Sequence, residues 1–238
     1  MARKRWKKDR GGKEEETPRT DDGKRKQTIV LIAALLIVML IGYYLLGQTS
    51  TPPSTPSASR NIKGNYEFLS GKPNTHVPGR VVLVEFFDFY CSHCYTFHKD
   101  RWPALQEKYG DQIALLEYGY PLRQSSNPPI EAYEIAKELG RGEEMKDALF
   151  KAIHEEKKDI SNTEALAGIA ETVGLDKDTF TRALNTHVKA STVDENTRLG
   201  NSFGLEGTPT FIIDGNIKTT DSSVSNLEAI IDSILRGE

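Results

Sequence analysis

The chain has 238 residues, 37% hydrophobic and 27% charged, with a net charge of −3, a length that suits one or two domains built on one good core. The charge divides unevenly: residues before Gln27 hold 11 Lys/Arg against 6 Asp/Glu, net +5, and those from Arg60 onward hold 20 against 28, net −8. The acidity of the C-terminal part argues against nucleic acid as a partner.

Residues 1–28 are rich in Lys, Arg, Glu, Gly and Thr and nearly devoid of apolar side chains, so they are expected to form a basic tail with no core. Ile29 to Leu46 is 18 residues without a strongly polar member. As a helix it would span roughly 27 Å, close to the ~30 Å hydrocarbon core. It reads as a transmembrane helix over 29–46, with Tyr43 and Tyr44 at an interface. A cleaved signal peptide and a buried core helix are the alternatives; against the first, a signal peptide's apolar region usually runs only about 7–15 residues. Lys24, Arg25 and Lys26 abut the span and place the N-terminus in the cytoplasm. That puts the rest of the chain on the far side of the cytoplasmic membrane, in a periplasmic or extracellular space. The uncharged Ser/Thr/Pro-rich stretch 47–60 is then a linker that holds the next domain off the bilayer.

The folded domain is expected from Asn61 to the end. Tyr66 to Leu69 suits a short strand, and Val81 to Phe89 is an almost continuous apolar and aromatic run, the pattern of a strand buried on both faces. Ser92 to Tyr109 suits a helix kinked at Pro103, and Ile113 to Tyr118 a second main strand. Strand, helix, strand indicates a βαβ unit with a parallel sheet. From Asn127 to Phe203 apolar residues recur at helical spacing, including Ile130, Tyr133, Ala136, Met145, Leu149 and Ala152. Ser161 to Glu164 has the form of a capping box. Residues 210–213 and 217–220 flank the turn Asp214-Gly215-Asn216 as a hairpin, and Ser225 to Glu228 forms a second capping box before an amphipathic last helix.

The only two cysteines are Cys91 and Cys94, separated by Ser92 and His93. At the start of a helix that follows a strand, the first thiol meets the positive end of the helix dipole and favours a thiolate, and the pair favours a reversible disulfide. A structural bridge closing so short a loop would constrain the unfolded chain little. A metal-binding module is the reading from another class, with Cys91, Cys94 and His98 at C-x2-C-x3-H spacing and His93 adjacent, for zinc or copper. No second ligand pair follows at zinc-finger spacing. Tyr95 after Cys94 excludes haem attachment, and no glycine-rich nucleotide motif occurs.

A CxxC beside a βαβ pattern points to thioredoxin-like redox chemistry. CSHCYTFH after VEFF, the long helical stretch, and GTPTFIIDG near the C-terminus together resemble the DsbA family of thiol-disulfide oxidoreductases. The resemblance implies an α/β thioredoxin-like fold over 61–126 and 204–238, with a helical insertion at 127–203 and the transmembrane helix ahead of it. It also implies a cis proline at Pro209, after Thr208, packed against the CxxC. Cys91 would be the nucleophile and Cys94 the resolving thiol, with a partly protonated His93 favouring the Cys91 thiolate and Glu85 matching an acidic position that tunes proton transfer near Cys94. No cofactor is implied. The partners implied are reduced exported proteins as substrates and a DsbB-like quinone reductase in the membrane as reoxidant. A reductase or isomerase on the same fold differs only in the direction of electron flow. Tyr90 and Tyr95 flank the thiols as candidate rim residues.

Overall fold

The computed structural model describes residues 61–238. The basic tail 1–28, the membrane helix expected at 29–46 and the linker 47–60 all lie outside the described residues. Among those described, no helix is long and apolar enough to cross a membrane.

Five strands form one sheet: β1 (Tyr66–Phe68), β2 (Val81–Phe87), β3 (Ile113–Gly119), β4 (Thr210–Ile213) and β5 (Ile217–Thr219), in spatial order β1-β5-β4-β2-β3. β2 runs parallel to β3 and antiparallel to β4, so it is flanked on both sides, which is why its sequence is apolar almost throughout. Between β2 and β3 the chain is helical: α1 (Ser92–Thr96), a π-helical segment Phe97–Arg101, and α2 (Trp102–Tyr109). Five helices follow: α3 (Asn127–Glu138), α4 (Gly142–His154), α5 (Thr163–Thr172), α6 (Lys177–Asn185) and α7 (Ala190–Ser202). After the β4–β5 hairpin, α8 (Val224–Leu235) ends the fold.

Side chains alternate along β2, so Val81, Leu83, Glu85 and Phe87 share one face. Val81 and Leu83 belong to an apolar cluster with Phe97, Leu105, Phe211, Leu227, Ile230 and Ile231, which packs α2 and α8 on the sheet. Phe87 belongs to a second cluster, with Phe89, Cys94, Tyr133, Leu149, Phe150 and Leu166, which joins the strand end to α3–α6. Glu85 therefore falls at the junction of the two cores. On the opposite face Phe86 stacks on Tyr118 and meets Phe203 at the end of α7.

Several local expectations are corrected. The strand stops at Phe87 rather than Phe89, because the buried Asp88 carboxylate turns the chain: it accepts from the amides of Tyr90 (2.8 Å) and Leu122 (2.9 Å). The 92–109 helix is interrupted by a widened turn ahead of Pro103 rather than a kink at it. The Trp102 amide donates to the Phe97 carbonyl, five residues back, and Pro103, which has no amide hydrogen, lies in the first turn of α2. The N-cap of α5 is Asn162, whose side chain accepts from the Ala165 amide, and not Ser161. The N-cap of α8 is Ser223, and not Ser225, because Asn226 is turned inward to tie Asn65 and Asp221 to the helix start.

Candidate active site

Cys91 occupies the N-cap of α1, with φ −81° and ψ 115°. Its amide donates to the Asp88 carbonyl (3.0 Å), and its own carbonyl accepts from Tyr95 (3.1 Å), so the turn and the first helical bond hold it from both sides. An N-cap side chain normally offers an oxygen to the free amides of the first turn. Here the Cys91 sulphur takes that place and accepts from the Cys94 amide at 3.4 Å. Sulphur acts as an acceptor best when ionised, so this position favours the thiolate.

The Cys91 thiol is half-buried and lowered from the ordinary 9.0 to about 5. The hydrogen bond from the Cys94 thiol is the largest cause; burial opposes it, and Thr208 and the backbone amides of Cys94 and His93 add to it. Two groups of Thr208 face the sulphur, and they serve different states. The carbonyl, 3.2 Å away, can accept only from the protonated thiol. The Thr208 hydroxyl is buried without a hydrogen-bond partner among the described residues, and, unlike the carbonyl, it can donate to the thiolate. Thr208 precedes Pro209 through a cis peptide bond, as the resemblance implies.

Cys94 is fully buried in the second apolar cluster, and burial pushes its thiol far up. The two thiols thus differ in reach and in charge. Glu85 is 2% exposed. Its carboxyl is raised well above the usual carboxylate range by burial first and then by Glu117; Lys146 opposes the rise. Its charge acts on Cys94 in turn.

Cys91, Cys94, Thr208, Pro209 and Glu85 are therefore brought together, and the side chain of His93 is not. His93 is exposed on the first turn of α1. Its backbone amide is what favours the Cys91 thiolate, in place of the imidazole expected from the sequence. His98 is bound to the Asp147 carboxylate at 2.5 Å. No group of three or more potential metal ligands exists among the described residues, so the C-x2-C-x3-H reading gains no ligand set there. Tyr95 stacks on His154 at 4.8 Å and shares the Glu155 carboxylate with Lys99. The Arg123 guanidinium lies over the Tyr90 ring at 5.5 Å.

Lys146, Glu117 and Asp88 went unread in the sequence. A lysine beside Met145 within the apolar pattern of α4 was the available signal for the first; for Glu117 it was a single acid in an otherwise apolar strand.

Comparison with known proteins points to one family. The DSBA-like thioredoxin domain matches residues 122–232, the segment that holds α3–α7 and the cis-proline loop. The thiol:disulfide interchange protein DsbA of Burkholderia cepacia is 27% identical over 173 residues, 73% of this chain and 80% of that protein. In sequence the chain is thus similar to the DsbA family. DsbA of Pseudomonas aeruginosa is 24% identical over 153 residues, 64% of this chain and 72% of its own length. The crystal structure of Pseudomonas aeruginosa DsbA superposes with a TM-score of 0.61 at 22% identity, over 73% of this chain and 92% of that one. Oxidised BdbD from Bacillus subtilis gives 0.61 at 17% identity, over 74% and 99%; both structures share the fold. The chain is a thiol-disulfide oxidoreductase of thioredoxin-like fold.

Proposed function

We propose that this chain is a DsbA-family member that donates a disulfide to reduced exported proteins, from a domain held at the outer face of the cytoplasmic membrane by a helix over residues 29–46. The observation that carries the direction is the asymmetry of the thiol pair. Cys91 is half-exposed and favours the thiolate, and Cys94 is buried and favours the thiol. A thiol near 5 rather than 9.0 stabilises the reduced form at pH 7. The corresponding rise in potential is at most about 60 mV, at ~30 mV per tenfold change, and screening at the half-exposed sulphur reduces it.

In the cycle a substrate thiolate attacks the Cys91 sulphur of the Cys91–Cys94 disulfide. The disulfide breaks, Cys94 leaves as a thiolate, and Glu85, as the neutral acid, returns a proton to it. A second substrate thiolate then attacks the substrate sulphur of the mixed disulfide. A substrate disulfide forms and Cys91 leaves as the stabilised thiolate, so two electrons have moved from substrate to enzyme. The Thr208–Pro209 loop lines the sulphur that is attacked. The roles given to Cys91, Cys94, Thr208, Pro209 and Glu85 belong to this proposal, as do the domain boundaries 61–126, 127–203 and 204–238. Reoxidation falls to a DsbB-like quinone reductase in the same membrane, near which the anchor would keep the domain.

Equilibration of the full chain against glutathione tests the direction. A potential well above about −200 mV supports a donor, and one near −270 mV means a reductase. Cys94→Ser is expected to accumulate mixed disulfides between Cys91 and exported proteins; a variant that traps none contradicts the assigned roles. Protease protection of residues 61–238 in cells stripped to the cytoplasmic membrane, lost when that membrane is opened, would contradict the topology.

A further inference from the structure

Beneath the thiols lies a buried group of charges that the cycle above does not use in full. Lys146 comes from α4, in the helical insertion, and its side chain is 1% exposed. Its ammonium contacts both oxygens of Glu117, at 2.7 and 2.6 Å, and Glu143 at 2.8 Å. Glu143 is 71% exposed and is well solvated without a lysine. Glu117 is only 11% exposed, and its register partner across the parallel β2–β3 pair is Glu85. Two carboxyls on one face of adjacent strands stand side by side, and like charges so close disfavour double ionisation. The ammonium is committed to Glu117, and the Glu85 carboxyl makes no side-chain hydrogen bond among the described residues. One acid is thereby kept as a carboxylate and the other is left to hold a proton.

We propose that Lys146 is a positioning residue for the redox step: by pairing with Glu117 it fixes the charge state in which Glu85 exchanges a proton with Cys94. The inference rests on the reading of Glu85 as proton partner. The groups that face Glu85 are Glu117 on β3, Lys146 on α4, Cys91 and Cys94 at α1, and Tyr133 on α3. Tyr133 is buried and keeps its proton, so the two acids and the lysine carry the variable charge. Without Lys146, the negative Glu117 would face Glu85 uncompensated. Glu85 would then stay protonated to higher pH and would accept the Cys94 proton less readily at low pH.

The test uses the full chain with Cys91 held as a mixed disulfide to glutathione, so that Cys91 itself no longer titrates. Glu85 takes the proton of Cys94, the Cys94 sulphur attacks the Cys91 sulphur, and the bond to glutathione breaks. Glutathione leaves as a thiolate that is protonated by water. Its release rate is followed against pH. Lys146→Met is expected to move the rising limb to higher pH and to slow release at about pH 6 roughly tenfold. Lys146→Arg keeps the wild-type profile, Glu117→Gln moves the limb to lower pH, and Glu117→Gln with Lys146→Met returns it close to wild type. A folded Lys146→Met with the wild-type profile overturns the proposal, because a purely structural clasp would change melting and leave the limb in place. If Lys146→Met does not fold, an unmoved limb in Glu117→Gln overturns it instead. Glu85→Gln separates the two ideas. If it flattens the limb while the Lys146 and Glu117 variants leave the limb unmoved, Glu85 stands and the Lys146 proposal falls; if it leaves the profile unchanged, both fall.

Discussion

Cys91 caps a helix and, in the function proposed above, is also the redox sulphur, and the first explains the second. A sulphur that must satisfy the Cys94 amide is worth more to the fold as an anion than as a thiol. The thiolate absorbance of Cys91 is expected to titrate with a midpoint near 5. Thr208→Val, which removes the threonine hydroxyl able to donate to the thiolate, is expected to raise that midpoint; an unchanged midpoint would assign the stabilisation to the Cys94 thiol and the amides of the helix start. The sign for stability follows from linkage. Because the folded value lies below the unfolded one, the thiolate contributes stability fully above the unfolded 9.0, and that contribution is lost as pH falls through about 5. The reduced chain should therefore gain melting temperature over the oxidised chain as pH rises across that window. Calorimetry on both forms checks it, and a gap that narrows with rising pH would contradict the assignment. At this scale the sequence was informative about Cys91, Cys94 and Pro209, since two lone cysteines at that spacing and a Thr-Pro loop carry their own chemistry. It was silent on Lys146, because whether a lysine on a helix snorkels to water or points at a buried acid depends on what packs against that helix.

Among the elements, the helix starts show where local pattern and tertiary contact part company. Ser-x-x-Glu occurs at Ser161 and again at Ser225, yet the side chains that accept from the first-turn amides are those of Asn162 and Ser223. In α8 the deciding group is Asn226, which accepts from the Asn65 amide at 2.5 Å and donates to the carbonyls of Asn65 (3.0 Å) and Asp221 (2.7 Å). Those bonds bring the start of β1 to the helix and fix Asn226 inside its first turn, so the cap falls three residues earlier. Ser223→Ala is expected to destabilise the domain by about 1 kcal/mol, and Ser225→Ala by a few tenths at most. Urea unfolding of the two variants measures this, and equal losses would restore the cap to Ser225. The helix after the CxxC shows the same limit: Pro103 made an interruption legible in the sequence, but its form depends on a Trp102–Phe97 bond that periodicity does not encode.

For the whole domain, the thiol pair packs in the second apolar core, near Glu85 at its junction with the first, and this arrangement sets how protons accompany electrons. The order of strands and helices was legible because β2 is apolar throughout and α3–α7 keep a helical period; which side chains would share the junction was not, because that needs the register of β2 against β3. In the disulfide form neither sulphur carries a proton. In the dithiol form above about pH 5, Cys91 is a thiolate, and Cys94, buried to 0% exposure, keeps its proton. Two electrons are then accompanied by one proton, and the potential should fall by about 30 mV per pH unit near neutrality. Below about pH 5 both sulphurs of the reduced form are protonated, and the slope should steepen to about 60 mV per unit. An ordinary dithiol in water would show the steeper slope up to about pH 8, because neither thiol ionises before then. Potentials referenced to the hydrogen electrode at several pH values distinguish the cases. A slope near 60 mV maintained through neutral pH would mean that Cys91 is not the thiolate its place at the helix start makes it, and the stabilisation of the reduced form would need another origin.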